Sequence, residues 1–266
     1  MTLLLTGALL SGLVAGVIAG LLGVGGGLVL VPALLYLFHL DGIHIAIAMP
    51  LAVGTSLATI VVTNSMATWH HHQRQSVRWD MVRQYAPAIL VGSWLGSHLA
   101  VMLDAIALRS AFGLFECAIG LRMIYPSGSS DSTPASPIPM WMHSFLALFI
   151  GCLSSLFGIG GGTLSVPALT MLGNIPIHQA VGSSSAIGIF ISVAGVLGFV
   201  HAGWDNPSLP DTSVGFVFSP AFLGIIAGTI LTTPLGVRLA HALDPKVLKK
   251  GFGFLLLAVG SKLAFF

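Results

Sequence analysis

The chain has 266 residues, 55% of them hydrophobic and 7% charged; soluble domains carry about 25% charged residues, so a water-soluble globular protein is excluded. A net charge of +2 is too small to call for a nucleic-acid partner. Apolar runs as long as the roughly 20 residues of a bilayer span fill almost the whole length, which is the composition of an all-α polytopic membrane protein.

The N-terminus, MTLLLTGALL, has no basic stretch, and its apolar run continues unbroken, so no cleavable signal peptide is expected. The first apolar segment covers about 3–38 and is interrupted in its middle by GVGGGLVLVP at 23–32. Further segments follow at about 44–69, 80–101 and 106–125. Residues 126–140, PSGSSDSTPASPIPM, lose all hydrophobic periodicity and read as a linker. Four more segments follow at about 141–172, 178–202, 215–242 and 247–266, and the first of them holds GIGGGTLSVP at 158–167. Cys117 and Cys152 stand alone in apolar surroundings and imply neither a disulfide nor a metal framework.

The two halves, 1–125 and 141–266, repeat one another. Gly23 to Gly27 match Gly158 to Gly162, and Val31-Pro32-Ala33-Leu34 match Val166-Pro167-Ala168-Leu169. Ala52-Val53-Gly54-Thr55-Ser56 match Ala180-Val181-Gly182-Ser183-Ser184. Gly92 and Gly96 match Gly224 and Gly228, and Arg109 to Gly113 match Lys249 to Gly253. Gly12, Gly16 and Gly20, with the Gly92/Gly96 and Gly224/Gly228 pairs, have the spacing of close helix packing in membranes.

Positive charge decides the topology, because Lys and Arg in short loops favour the cytoplasm. If all eight segments cross, the ten Lys and Arg residues split five to five between the faces. If the first segment of each half enters and turns back, they split eight to two, with only Arg109 and Lys262 outside. The second arrangement is expected: two inverted-topology repeats, each a glycine-broken re-entrant hairpin plus three transmembrane helices.

Three successive glycines in a helix cost about 1 kcal/mol each against alanine, and proline is tolerated only in a helix's first turn. Each glycine phrase therefore reads as helix, break, short helix, the second short helix covering about 163–172. A break at membrane depth survives only inside protein or along a polar cavity. Its free N–H groups at a new helix start attract anions. Inverted halves bring two such starts together, so Gly25, Gly26 and Gly27 with Gly160, Gly161 and Gly162 are the expected binding site for a small anion. Thr55, Ser56, Ser183 and Ser184 could add hydroxyl donors, or could serve only to bond helix backbone.

These phrases, each followed by a Gly-Thr-Ser-type segment, resemble the TauE/SafE family of sulfite and organosulfonate exporters, and the stretch HHHQRQSVRWDMVRQYAPAILVGSWLGSHLA resembles that family's entry to its third segment. The resemblance covers nearly the whole chain. It implies a multi-pass carrier in the bacterial inner membrane that moves a small sulfur-containing anion or a related carboxylate, without a cofactor. Ser183-Ser184-Ser185 depart slightly from Thr-Ser-Leu in the first half, with the hydroxyls kept.

Glu116 is the one carboxylate well inside a segment and could carry a coupling proton, or could pair with Arg109 or Arg122. His98 and His201, near segment ends, could sense protons. His70-His71-His72 suggest a rival, a divalent-metal transporter using that loop, although the segments lack the acidic and imidazole ligands a dehydrated cation needs. An intramembrane enzyme is not expected, since Ser154 and Ser165 lack a His or Lys partner. A homodimer is left open.

Overall fold

The computed structural model describes residues 2–22, 26–125, 139–171, 175–242 and 245–265. Among these residues run ten α-helices and one short strand pair. The first half holds α1 (Thr2–Leu22), α2 (Gly27–Leu40), α3 (Ile45–Gln73), α4 (Trp79–Met102) and α5 (Ala105–Ile124). The second holds α6 (Met140–Leu156), α7 (Gly162–Met171), α8 (Ile177–Gly203), β1 (Ser213–Val214), β2 (Val217–Phe218), α9 (Ser219–Ala242) and α10 (Pro245–Phe265). The expected linker lies outside the described residues over 126–138; its last residue, Met140, already begins α6.

Both expected breaks are present, and each first segment is two helices. Gly7 of α1 abuts Leu37 of α2, while Ala15 lies by Gly26. The contacts run in opposite order along the two helices, so α1 and α2 form an antiparallel pair. At about 1.5 Å per residue, the ten residues of α7 reach only about half a bilayer. Pro32 and Pro167 stand inside α2 and α7, at the sixth helical residue of each and not in the first turn. The short helices thus begin upstream of the proline, at the glycine itself.

Each hairpin packs mainly on the other half. α1 lies along α9, and α6 lies along α4. Glycines make both contacts close: Gly12 and Gly16 meet Ile225 and Thr229, Gly224 and Gly228 meet Leu5 and Leu9, and Gly92 and Gly96 meet Leu148 and Cys152. The order of these contacts makes α1 parallel to α9 and α6 parallel to α4. α5 and α10 cross antiparallel, with Gly113 against Gly260 and Gly120 against Gly253. α3 and α8 also run antiparallel, Leu57 facing Gly195 and Asn64 facing Gly188.

By length and composition, α3, α4 and residues 178–203 of α8 are long and apolar enough to cross a membrane, with shorter apolar stretches in α1, α2, α6 and α9. Large apolar side chains such as Leu10, Met102, Trp141, Phe145 and Leu223 point outward, as a lipid-facing surface requires. Two elements depart from the expected segments. The expected seventh segment began at 215, but residues 213–218 form an antiparallel hairpin pairing Ser213 with Phe218 and Val214 with Val217. The histidine tract is not in a loop, because α3 continues to Gln73 and ends before Gln75, whose φ of 53° no helix tolerates.

Candidate functional site

Gly26 and Gly161, matched in the repeat, adopt the same left-handed backbone, with φ of 76° and 75°. Each caps the helix that follows it. The Gly26 carbonyl accepts from Val29 and Leu30 N–H at 3.0 Å, and the Gly161 carbonyl from Leu164 and Ser165 N–H at 3.0 and 2.7 Å. An L-residue in this conformation costs about 1–2 kcal/mol, which is the local reason for glycine at both places. Gly25 lies outside the described residues.

The two breaks touch. A β-carbon on Gly27, the first residue of α2, would stand 2.5 Å from the Gly158 carbonyl oxygen and 3.1 Å from Ile159 Cα. Ser56 Oγ donates to the same Gly158 carbonyl at 2.9 Å. A β-carbon on Gly160 would stand 2.9 Å from Asn64 Nδ2, and Gly188 of α8 closes on the Gly160 carbonyl. Gly26, Gly27, Ser56 and Gly158 to Gly162 therefore share one neighbourhood, into which the first turn of α7 presents N–H groups with no intrahelical acceptor.

The four expected hydroxyls are all buried but differ in use. Thr55 Oγ1 accepts from Phe218 N–H at 2.9 Å, and Ser183 Oγ accepts from Arg78 N–H at 2.8 Å. Each holds the chain just before a helix start, α9 for Thr55 and α4 for Ser183. That leaves one O–H on each, but a fixed structural duty comes first. Ser56 is committed to Gly158, whereas Ser184 Oγ is buried with no partner.

Sequence reasoning missed Asn64 and Ser155 as site residues, and considered Ser154 and Ser165 only as nucleophiles. Ser154 and Ser155 are 0% exposed, Ser165 2% and Asn64 6%. Ser154 Oγ, Ser155 Oγ, Ser165 Oγ and Asn64 Nδ2 all lack a hydrogen-bond partner. A β-carbon on Gly161 would lie 3.2 Å from Ser165 Oγ and 3.7 Å from Ser154 Oγ. Each orphaned buried donor costs about 1–3 kcal/mol, so a cluster of them beside a helix start suits an oxygen-rich guest. A lone Asn inside segment 44–69, and serines on both sides of the second glycine phrase only, were the available signals.

Glu116 is fully buried in α5, and neither carboxylate oxygen has a partner. Among the described residues the only ion pair joins Arg78 and Asp80, so the suggested pairing with Arg109 or Arg122 is not made. On the same helix, one turn earlier, Phe112 meets Phe157 at 5.9 Å, and Phe115, immediately before Glu116 in the chain, stacks on Phe157 at 5.0 Å. Phe157 directly precedes Gly158, so this ring stack ties α5 to the second break, while Glu116 itself lies against Gly260 of α10. His98 lies elsewhere. Its Nε2 is 3.3 Å from His201 Nδ1, with Trp94 packed on both rings, and His201 sits about 20 Å along α8 from Gly188. The three tract histidines, consecutive on a helix, diverge by about 100° each, so they cannot converge on one ion. Among the described residues no three His, Cys, Asp or Glu side chains are placed to hold a metal.

The profile of the family described as sulfite exporter TauE/SafE matches residues 8–263. A probable membrane transporter protein of Haemophilus influenzae is 37% identical over 251 residues, covering 94% of each chain. Similar proteins described in the same words occur in Methanocaldococcus jannaschii, 28% identical over 93% of this chain and 90% of that one, and in Xylella fastidiosa, 31% identical over 94% and 90%. No solved structure matches the chain.

Proposed function

Given that the chain belongs to the sulfite exporter TauE/SafE family of membrane transporters, we propose that it is a secondary carrier of a small sulfur-containing oxyanion, held between its two glycine breaks. The observation that carries this reading is the contact of Gly27 with Gly158 and Ile159, beside the unpartnered Asn64, Ser154 and Ser165. The guest is met by helix-start N–H groups and neutral donors without a full positive charge. Such binding is weak and reversible, which a carrier needs.

The two halves are inverted repeats about a pseudo-two-fold axis. The exchange of partners supports this: α1 with α9 mirrors α6 with α4, while α5–α10 and α3–α8 pair with themselves. With both hairpins returning and α3 to α5 and α8 to α10 each crossing once, eight of the ten Lys and Arg residues fall on one face. Arg109 and Lys262 fall on the other. By the positive-inside rule the first face is cytoplasmic, in a bacterial inner membrane. Transport proceeds by rocking of one half against the other, and Glu116 carries the coupling proton.

Uptake of sulfite, taurine, sulfoacetate and a short carboxylate into proteoliposomes, with and without a pH gradient, tests this. Saturable flux of a sulfur oxyanion that follows the gradient is expected. Flux of the carboxylate alone would transfer the site to that class, and flux of none would remove the anion reading.

A further inference from the structure

The loops before α4 and before α9 occupy matched places but have opposite chemistry. In the first, the Ser76 carbonyl abuts Gly182 and Arg78 N–H bonds Ser183. In the second, the Phe216 carbonyl abuts Gly54 and Phe218 N–H bonds Thr55. The backbone solution is the same, and the side chains differ. Around the first loop, His71, Arg74, Ser76, His178 and Val181 line a cavity of about 290 Å³. At the second, Phe216 and Phe218 are 2% and 3% exposed. Phe218 meets Phe38 edge-on at 5.6 Å, and Phe216 meets Phe199 at 6.5 Å.

A polar line leads inward from the open loop. His71, Thr68 and Asn64 share one face of α3, at helical spacing. Thr68 Oγ1 and Asn64 Nδ2 are buried and unpartnered, and Nδ2 lies against Gly160. Ser184, one turn in from Val181 on α8, is a third buried polar group without a partner. Val196 and Phe199 of α8 replace this polarity towards the other face.

We infer that small oxyanions enter and leave by the mouth of His71, Arg74 and His178, along Thr68 and Asn64 to the start of α7, while the hairpin bearing Phe216 and Phe218 gates the matched route on the opposite face. The inference rests on the proposed function for the identity of the passenger; the asymmetry of the two loops stands without it. Arg74 concentrates anions at the mouth, the neutral track passes them without trapping them, and the aromatic hairpin must withdraw for release on the far side.

The test uses the full chain with Cys117→Ser and Cys152→Ser, carrying Thr68→Cys or, separately, Ser184→Cys. Vesicles of defined orientation are treated with two membrane-impermeant methanethiosulfonates, one bearing a sulfonate and one a trimethylammonium group. Modification from the Arg74 face is expected to be about tenfold or more faster than from the other, with the sulfonate reagent favoured. Arg74→Glu should reverse that charge preference, and Phe216→Ala should open labelling from the opposite face. Equal labelling from both faces overturns the inference. So does failure to label either cysteine in protein that reacts fully once denatured. One-sided labelling without any sulfite flux supports the route and removes only the proposed passenger.

Discussion

Gly161→Val is expected to insert into the membrane and to lower anion flux by more than about 100-fold, the equivalent of roughly 2.7 kcal/mol in a barrier. Valine must leave the φ of 75° that caps α7, since left-handed backbone costs an L-residue about 1–2 kcal/mol and a β-branched one more. Its side chain would also meet Ile191 and crowd Ser165 Oγ. The residue can relax only by turning the first N–H groups of α7 away from the site. Gly26→Val should act in the same way through α2. Retained protein yield with lost radiolabelled sulfite flux is the expected pair of readings. Native flux in both variants would end the claim that the breaks form the site.

The second large effect concerns coupling. Glu116→Gln keeps shape and hydrogen-bonding capacity but cannot release a proton. It is expected to abolish accumulation of sulfite driven by a pH gradient while leaving sulfite–sulfite exchange within about twofold, a change of about 0.4 kcal/mol. The reason is burial: an ionised carboxylate with no partner costs several kcal/mol. A cycle that ionises Glu116 must therefore bring water or a cation to α5, and the α5–α10 glycine crossing beside it is where movement would admit one. Uphill accumulation by the Gln variant at the native level would contradict the assignment.

The parts of this architecture written in local sequence were readable there. Three glycines in an apolar run cannot remain helical cheaply, so the breaks at 23–27 and 158–162 were visible, as were the long helices around them. What escaped depended on residues far apart in the chain. VGFVF at 214–218 reads as the start of an apolar span, and only its packing against Gly54 and Gly203 makes it a hairpin. The bond from Phe218 N–H to Thr55 was not readable because the two lie 163 residues apart. Asn64 gained meaning only when α8 and the second break closed around it. The histidine tract was placed in a loop because its polarity ended the hydrophobic period, but no helix breaker precedes Gln75 and the backbone carries on.

The central claim is that one anion is shared by breaks from both halves. It is tested most directly by ligand-induced thermal stabilisation of the purified protein with sulfite, since a ligand bound only by the folded state raises the melting temperature by mass action. Native protein, Gly26→Val and Gly161→Val would be compared, each confirmed as monodisperse. The account predicts a saturable shift in the native protein and its loss in both variants. A Gly26→Val protein that keeps the full shift while Gly161→Val loses it would contradict a shared site and confine the anion to the second hairpin.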